Sequence, residues 1–123
     1  MGVWLFLGGL NALLAVAAGA YGWHRLGGDA IFTMGSDYHM YHSLALIAVA
    51  WLASMRSGRV ALTVHLAGSA FMLGIILFSG TLYAFALTGV VPLAGAAPVG
   101  GALLMIGWLI IAALGLTAAV RRS

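Results

Sequence analysis

Residues 60–87 read VALTVHLAGSAFMLGIILFSGTLYAFAL and contain no Asp, Glu, Lys or Arg. A helix needs about 20 apolar residues to cross a hydrocarbon core about 30 Å thick. This stretch exceeds that length, and a loop that contains glycine and proline follows it. It therefore predicts a transmembrane helix that ends near Leu87.

Three further apolar stretches repeat this pattern along the chain. Hydrophobic residues make up 64% of the sequence and charged residues 6%, with a mean hydropathy of +1.15. Soluble proteins are about 45–50% apolar and about 25% charged, so soluble enzymes and nucleic-acid binders are excluded. We expect an all-α integral membrane bundle of four transmembrane helices. It forms a single domain over residues 1–123, with helices at about 3–22, 38–55, 60–87 and 98–120.

The positions of the arginines predict the orientation. The turn at 56–59 and the tail at 121–122 carry all the arginines except Arg25. With four spans these two segments share one side of the membrane, and the positive-inside rule makes that side cytoplasmic. We expect both termini inside (N-in/C-in), in a bacterial inner membrane. No positive charge precedes the first apolar stretch, so we expect it to be retained as a helix.

Small residues follow one another along a single stripe of the first helix, at spacings of three and four. In lipid, helices associate through close backbone approach at such residues. The stripe predicts either packing within the bundle or a contact with a second copy or a larger membrane complex. Its members are Gly8, Ala12, Ala15, Gly19 and Gly22.

The second predicted helix carries the most informative polar residues. His39 and His42, at i and i+3, share one face of it, and His24 at the outer end of the first helix can lie at the same depth. Only about 13 apolar residues, roughly 20 Å of helix, separate His42 from Arg56. We therefore expect the polar turns to lie at the outer rim or slightly below it.

Three interpretations of this polar end remain open. In the first, His24, His39 and His42 form a metal site, because three imidazole nitrogens, with a carboxylate or water, can bind a transition metal. A proton relay through His42, Tyr83 and Asp37 is the second interpretation. In the third, the histidines hydrogen-bond to carbonyls and hydroxyls such as that of Ser79 and fix the outer ends of the helices.

Asn11 lies near the middle of the first helix, beside the small-residue stripe. A polar side chain at that depth needs a partner. We expect an interhelical hydrogen bond, worth roughly 0.6–2 kcal/mol, in preference to a ligand role.

Four motifs in this order resemble the YgdD family. They are LNALLAVAAGAYGWH at 10–24, HMYHSLAL at 39–46, LFSGTLY at 77–83 and PVGG at 98–101. The family comprises small four-helix membrane proteins classed as a domain of unknown function, with TMEM-type relatives in animals. The resemblance covers nearly the whole chain and implies a four-span fold in an inner membrane, but no activity. Trp23 departs from the family pattern, which has a small residue there.

From these observations we expect a small inner-membrane protein without catalysis of its own. Its expected role is that of an accessory or scaffold element that packs against itself or a larger membrane assembly. It is embedded in the lipid bilayer and has no nucleic-acid partner. The alternatives are a metal- or cofactor-binding protein that uses His24, His39 and His42, and movement of protons or small solutes.

Overall fold

A computed structural model describes residues 2–122, so the predicted domain limits at 1 and 123 lie just outside it. The described part of the chain is all-α. The helices are α1 (Gly2–Arg25), α2 (Ala30–Ser54), α3 (Gly58–Gly74), α4 (Gly80–Thr88) and α5 (Ala96–Arg122), and a π-helical turn, Ile75–Ser79, joins α3 to α4.

Helix α2 begins at Ala30, well before the predicted start near residue 38. The cause is an N-cap: the carboxylate of Asp29 accepts a hydrogen bond from the backbone N–H of Phe32 at 3.0 Å. Such a cap satisfies one of the free N–H groups at a helix start. The first two predicted helices leave residues 23–37 as a polar connection. That prediction is wrong, because most of these residues are helical.

Helices α3 and α4 form one continuous helix, Gly58–Thr88, interrupted only by the π turn. Single π turns inside α-helices are rare, and those that occur are often found at functional sites. The long helix ends at Gly89, which adopts a left-handed conformation with φ of 74° and donates its N–H to the Phe85 carbonyl. Its end agrees with the predicted limit at Leu87.

Helix α2 lies at the centre of the packing. It contacts α1 on one side and α3, the π turn and α4 on the other, whereas α5 packs mainly on α3 and the π turn. Fully buried apolar side chains of α2 and α3 form the core, among them Leu46, Val49, Val64 and Phe71. Helices α1 and α5 therefore lie on opposite flanks of a central α2–α3 pair.

Most of the small-residue stripe of α1 packs against α2. Gly8 is so close that an added Cβ would lie 2.7 Å from Ile47 Cγ1, and a Cβ on Gly22 would lie 2.7 Å from Phe32 Cδ1. Ala15 is buried as well. Gly19 differs, because an added Cβ would meet only the Ser36 hydroxyl, at 3.9 Å. The stripe thus serves packing within the chain.

Three helices of the described chain are long and apolar enough to cross a membrane: α1, the continuous helix Gly58–Thr88, and α5 over Ala96–Arg121. Helix α2 is less apolar because of its polar residues, and these include buried Ser36, His39, His42 and Ser43. The exposed residues between Leu44 and Trp51 are apolar, whereas Thr33, Asp37 and Ser54 are exposed polar residues nearer the ends of the helix. The lower hydropathy of α2 therefore comes from polar residues on both its buried and its exposed sides.

Candidate functional site

His39 is the centre of a polar cluster between three helices. It is 6% exposed and lies about 14 Å along α2 from Ala30 and about 22 Å from Ser54, at 1.5 Å per residue. Its Nε2 is 2.9 Å from Asn11 Oδ1 on α1, and its Nδ1 is 2.9 Å from the Tyr83 hydroxyl on α4. His39 thus connects α2 to α1 and to α4.

The partners determine where the proton of His39 resides. The amide of Asn11 is oriented by its Nδ2, which donates to the Leu7 carbonyl at 2.8 Å and lies 3.5 Å from Met72 Sδ. Asn11 Oδ1 can only accept, so Nε2 of His39 donates to it. In the neutral ring Nδ1 then accepts from the Tyr83 hydroxyl. Every nitrogen of the ring is engaged.

His42, one turn further along α2, has a separate set of partners. Its Nδ1 donates to the Tyr38 carbonyl at 2.7 Å, and its Nε2 accepts from Trp108 Nε1 of α5 at 2.9 Å. Since an indole N–H can only donate, Nε2 must be unprotonated. The His42 ring also lies against Phe71, with ring centroids 5.8 Å apart. His42 is therefore a neutral Nδ1–H tautomer in this arrangement.

The π turn adds Ser79 to the cluster, and Gly35 leaves space for Tyr83. Ser79 is buried and donates to the Gly35 carbonyl of α2 at 2.8 Å. The Tyr83 ring lies over Gly35, where an added Cβ would be 3.1 Å from Tyr83 Cε1, and its centroid is 4.8 Å from that of Phe32. The absence of a side chain at Gly35 is what lets Tyr83 reach His39.

The structure does not bring the three predicted metal ligands together. His24 is exposed near the end of α1, about 20 Å along that helix from Asn11 at 1.5 Å per residue, whereas His39 bonds to Asn11. Within residues 2–122, no group of three histidines or carboxylates is placed to bind a metal ion. The ring nitrogens of His39 and His42 are also occupied by other partners.

Within the described part of the chain, the residues of the predicted proton relay do not form one hydrogen-bonded chain. Tyr83 bonds to His39 and not to His42, and Asp37 lies on the exposed side of α2. The polar cluster lies away from the helix ends, since it includes Asn11 from the middle of α1. Because α2 begins at Ala30, about two and a half helical turns precede His39.

Sequence reasoning missed the two tryptophan–histidine pairs. Trp108 donates to His42, and Trp4 donates through Nε1 to His65 Nδ1 at 2.8 Å. A signal was present, because a partly buried indole N–H needs an acceptor and this chain has few side-chain acceptors. The pairing itself depends on residues more than sixty positions apart.

Two open clefts border the buried histidines, one on each flank. We call the first the α1 cleft. It has a volume of about 380 Å³ and lies between α1 and the π turn and the start of α4. The second, the α5 cleft, has a volume of about 340 Å³ and is lined by His42, Phe78, Leu104 and Trp108, among others. The α1 cleft is lined by Asn11, Leu14, His39, Ile75, Ile76, Ser79, Gly80 and Tyr83.

Comparisons with known proteins place the chain in a family. The sequence profile described as "Protein of unknown function (DUF423)" matches residues 18–101. The UPF0382 membrane protein YwdK of Bacillus subtilis is 42% identical over 117 residues, which cover 90% of this chain and 94% of that protein. A UPF0382 membrane protein of Staphylococcus epidermidis is 40% identical, with 90% and 93% covered.

A UPF0382 membrane protein of Staphylococcus aureus is 38% identical, again over 117 residues. No solved structure matches the chain. The matched profile runs from the second half of α1 to the start of α5 and includes His39, Ser79 and Tyr83 but not Asn11. The alignments cover nearly the full lengths of the relatives. The chain therefore belongs to the DUF423 family and is a membrane protein of a family without an assigned activity.

Proposed function

We propose that the protein is a non-enzymatic accessory protein of the bacterial inner membrane, which holds a fixed helical surface against another membrane protein or a second copy. One observation carries this proposal: both ring nitrogens of each buried histidine bond within the chain. Fully satisfied polar networks rigidify a core and specify one arrangement. The histidines then position helices, and the outward faces of those helices carry the function.

The proposed topology has four spans with both termini in the cytoplasm. It is supported by the inward placement of His39, His42 and Ser43, beyond which the exposed residues of α2 are apolar as far as Trp51. It is also supported by the clustering of basic residues, because Arg56 and Arg121 line one pocket at the same end of the protein. A reporter fused after Ser123 should be active only in the cytoplasm; activity only outside would overturn this topology.

Kinship with the YgdD family is part of the same proposal. The family profile includes three of the motifs that carry the resemblance in full, those at 39–46, 77–83 and 98–101. The second of these contributes Ser79 and Tyr83, and the first contributes His39 and His42. The residues behind the resemblance are thus the ones that form the polar contacts between helices.

The surface for the proposed partner is that of α5, the least buried of the three long apolar helices. A photoreactive benzoylphenylalanine at Leu109, which is 68% exposed, should give a discrete adduct with one identified membrane protein in native membranes. The matched position is Leu104 on the same helix, which is buried and should give no such adduct. If the probe at Leu109 gives adducts with lipid and with no protein, the accessory role is contradicted.

The metal-binding alternative is tested on the same purified protein. Elemental analysis and an optical spectrum are recorded before and after offering Zn²⁺ or Cu²⁺, beside a His39→Ala/His42→Ala variant. The accessory proposal expects no stoichiometric metal in either protein. One equivalent that is lost in the double variant would assign the histidines to a metal and would replace the proposal.

A further inference from the structure

The α1 cleft combines an apolar wall with a polar floor. Its volume of about 380 Å³ falls in the range of small-molecule sites, about 300–1,000 Å³. The apolar wall includes Leu14, Ile75 and Ile76, and no lining residue is charged. The floor is the hydrogen-bonded cluster around His39. Mostly apolar sites with a few convergent polar groups are typical of ligand binding.

The hydrogen bonds of the floor leave only acceptors free. The Tyr83 hydroxyl gives its proton to His39, and the Ser79 hydroxyl gives its proton to the Gly35 carbonyl. Asn11 Oδ1 accepts one bond, from His39, and retains a second lone pair. Three oxygens can therefore each accept one more hydrogen bond. No ring nitrogen of His39 is left to bind a ligand.

We propose that the α1 cleft binds a neutral lipophilic molecule with a hydroxyl group, such as a long-chain alcohol, which enters sideways from the bilayer. Its hydroxyl donates to the acceptor floor, and its chain lies against Leu14, Ile75 and Ile76. A cationic donor is disfavoured because no carboxylate lines the cleft and an unpaired charge at this depth is costly. This binding site is distinct from the proposed partner surface on α5 and does not depend on it.

Gly80 provides a way to close the cleft without disturbing the core. It lines the cleft, and an added Cβ there would meet nothing within 4 Å. Its backbone is ordinary right-handed helix, with φ of −58° and ψ of −43°, so leucine is compatible with it. Gly9 on α1 is the matched control, since it is also exposed with open space around it but does not line the cleft.

The test uses the full chain in phosphatidylcholine nanodiscs and two photoreactive probes. One probe is a hexadecanol that carries a diazirine and an alkyne, and the other is its methyl ether, which cannot donate. After irradiation, mass spectrometry locates the labelled residues. We expect about fivefold more labelling of the cleft by the alcohol than by the ether, because one hydrogen bond of about 1 kcal/mol corresponds to about a fivefold difference in affinity. Gly80→Leu should reduce it to the level of the ether, and Gly9→Leu should not.

Two results would overturn the site. Equal labelling by the alcohol and the ether would show that the polar floor does not select a donor. Labelling that is spread over all lipid-facing positions and unaffected by Gly80→Leu would show ordinary surrounding lipid. Thermal unfolding of each variant is measured alongside. If Gly80→Leu fails to fold, Leu14→Trp narrows the cleft from the α1 side and replaces it in the comparison.

Discussion

The α1 and α5 flanks of the central α2–α3 pair each bury one histidine of α2, but different contacts hold the two flanks in place. On the α1 flank, His39 bonds to side chains from two other helices, Asn11 and Tyr83. On the α5 flank, His42 bonds to the backbone of its own helix and to Trp108, which is 45% exposed. The α1 flank therefore depends on a polar network, whereas its α5 counterpart has a single bond between helices.

Close packing compensates on the α5 flank. Gly100 lies so near the π turn that an added Cβ would be 2.5 Å from the backbone nitrogen of Phe78. On the α1 flank the tightest contacts of Gly8 and Gly22 are with side chains, at 2.7 Å, and the nearest backbone atom to a Cβ on Gly8 is the Ser43 carbonyl oxygen, at 3.1 Å. A side chain can move aside, but a backbone cannot. The α1 flank therefore has the more extensive hydrogen-bond network, and the α5 flank has the closer backbone contact.

The largest expected effect is that of Gly100→Val, which should detach α5 from the π turn. The new side chain would collide with backbone atoms, and we expect a loss of about 3 kcal/mol in the free energy of unfolding. Denaturation in mixed detergent micelles, followed by circular dichroism, measures it. Gly115→Val on the same helix is the control, because an added Cβ there meets nothing within 4 Å. Equal losses in the two variants would refute the backbone contact.

His39→Ala should have the second largest effect, a loss of about 2 kcal/mol. It leaves Asn11 Oδ1 and the Tyr83 hydroxyl without their partner, and an unsatisfied buried group costs about 1–3 kcal/mol. Tyr83→Phe removes only one of the two bonds and should lose about half as much. The same denaturation experiment measures both. An unchanged unfolding midpoint in His39→Ala would show that the network does not hold the α1 flank.

Trp108→Phe should lose less, about 0.6 kcal/mol, the average found for interhelical hydrogen bonds in a membrane protein. The loss is smaller than for His39→Ala because one buried acceptor, His42 Nε2, loses its partner instead of two buried groups. The same pair predicts a spectroscopic difference: ¹⁵N NMR of the histidines should show His42 protonated on Nδ1 and His39 protonated on Nε2. The same tautomer for both rings would contradict the assigned partners.

Gly19→Ala should have the smallest effect, within about 0.5 kcal/mol of the parent protein. Its new methyl group would make only ordinary contact with the Ser36 hydroxyl, and alanine favours helix over glycine. Gly8→Ala is the matched variant on the same stripe and should destabilise, since its Cβ would also lie 3.1 Å from the Ser43 carbonyl oxygen. A larger loss for Gly19→Ala would mean that this glycine serves another contact.

Much of the fold follows from apolar runs, and the exceptions have local causes. The ends of the third and fourth stretches lie close to the observed helices, because length and hydropathy alone limit them. The start of α2 could not be found in this way. The polar residues in its first turns are typical of a loop. These turns are helical because Asp29 caps the helix and the side chains of Phe32 and Ser36 pack inward.

The sequence identifies the residues of the candidate site one by one, but it does not predict which of them contact one another. His39, Asn11, Ser79 and Tyr83 stand out because polar groups are rare in an apolar chain. Their pairing depends on how three helices are rotated and shifted relative to one another, and the π turn changes that register at Ser79. His24 was grouped with His39 by estimated depth, and the early start of α2 removes that match.

The continuous helix Gly58–Thr88 has a consequence for the bilayer around it. Its 31 residues extend roughly 45 Å at 1.5 Å per residue, well beyond a hydrocarbon thickness of about 30 Å. Such an excess is relieved by tilting or by local thickening of the lipid, at a fraction of a kcal/mol per Å. Thicker bilayers should therefore bring this helix upright, and membrane thickness becomes a variable to which the protein responds.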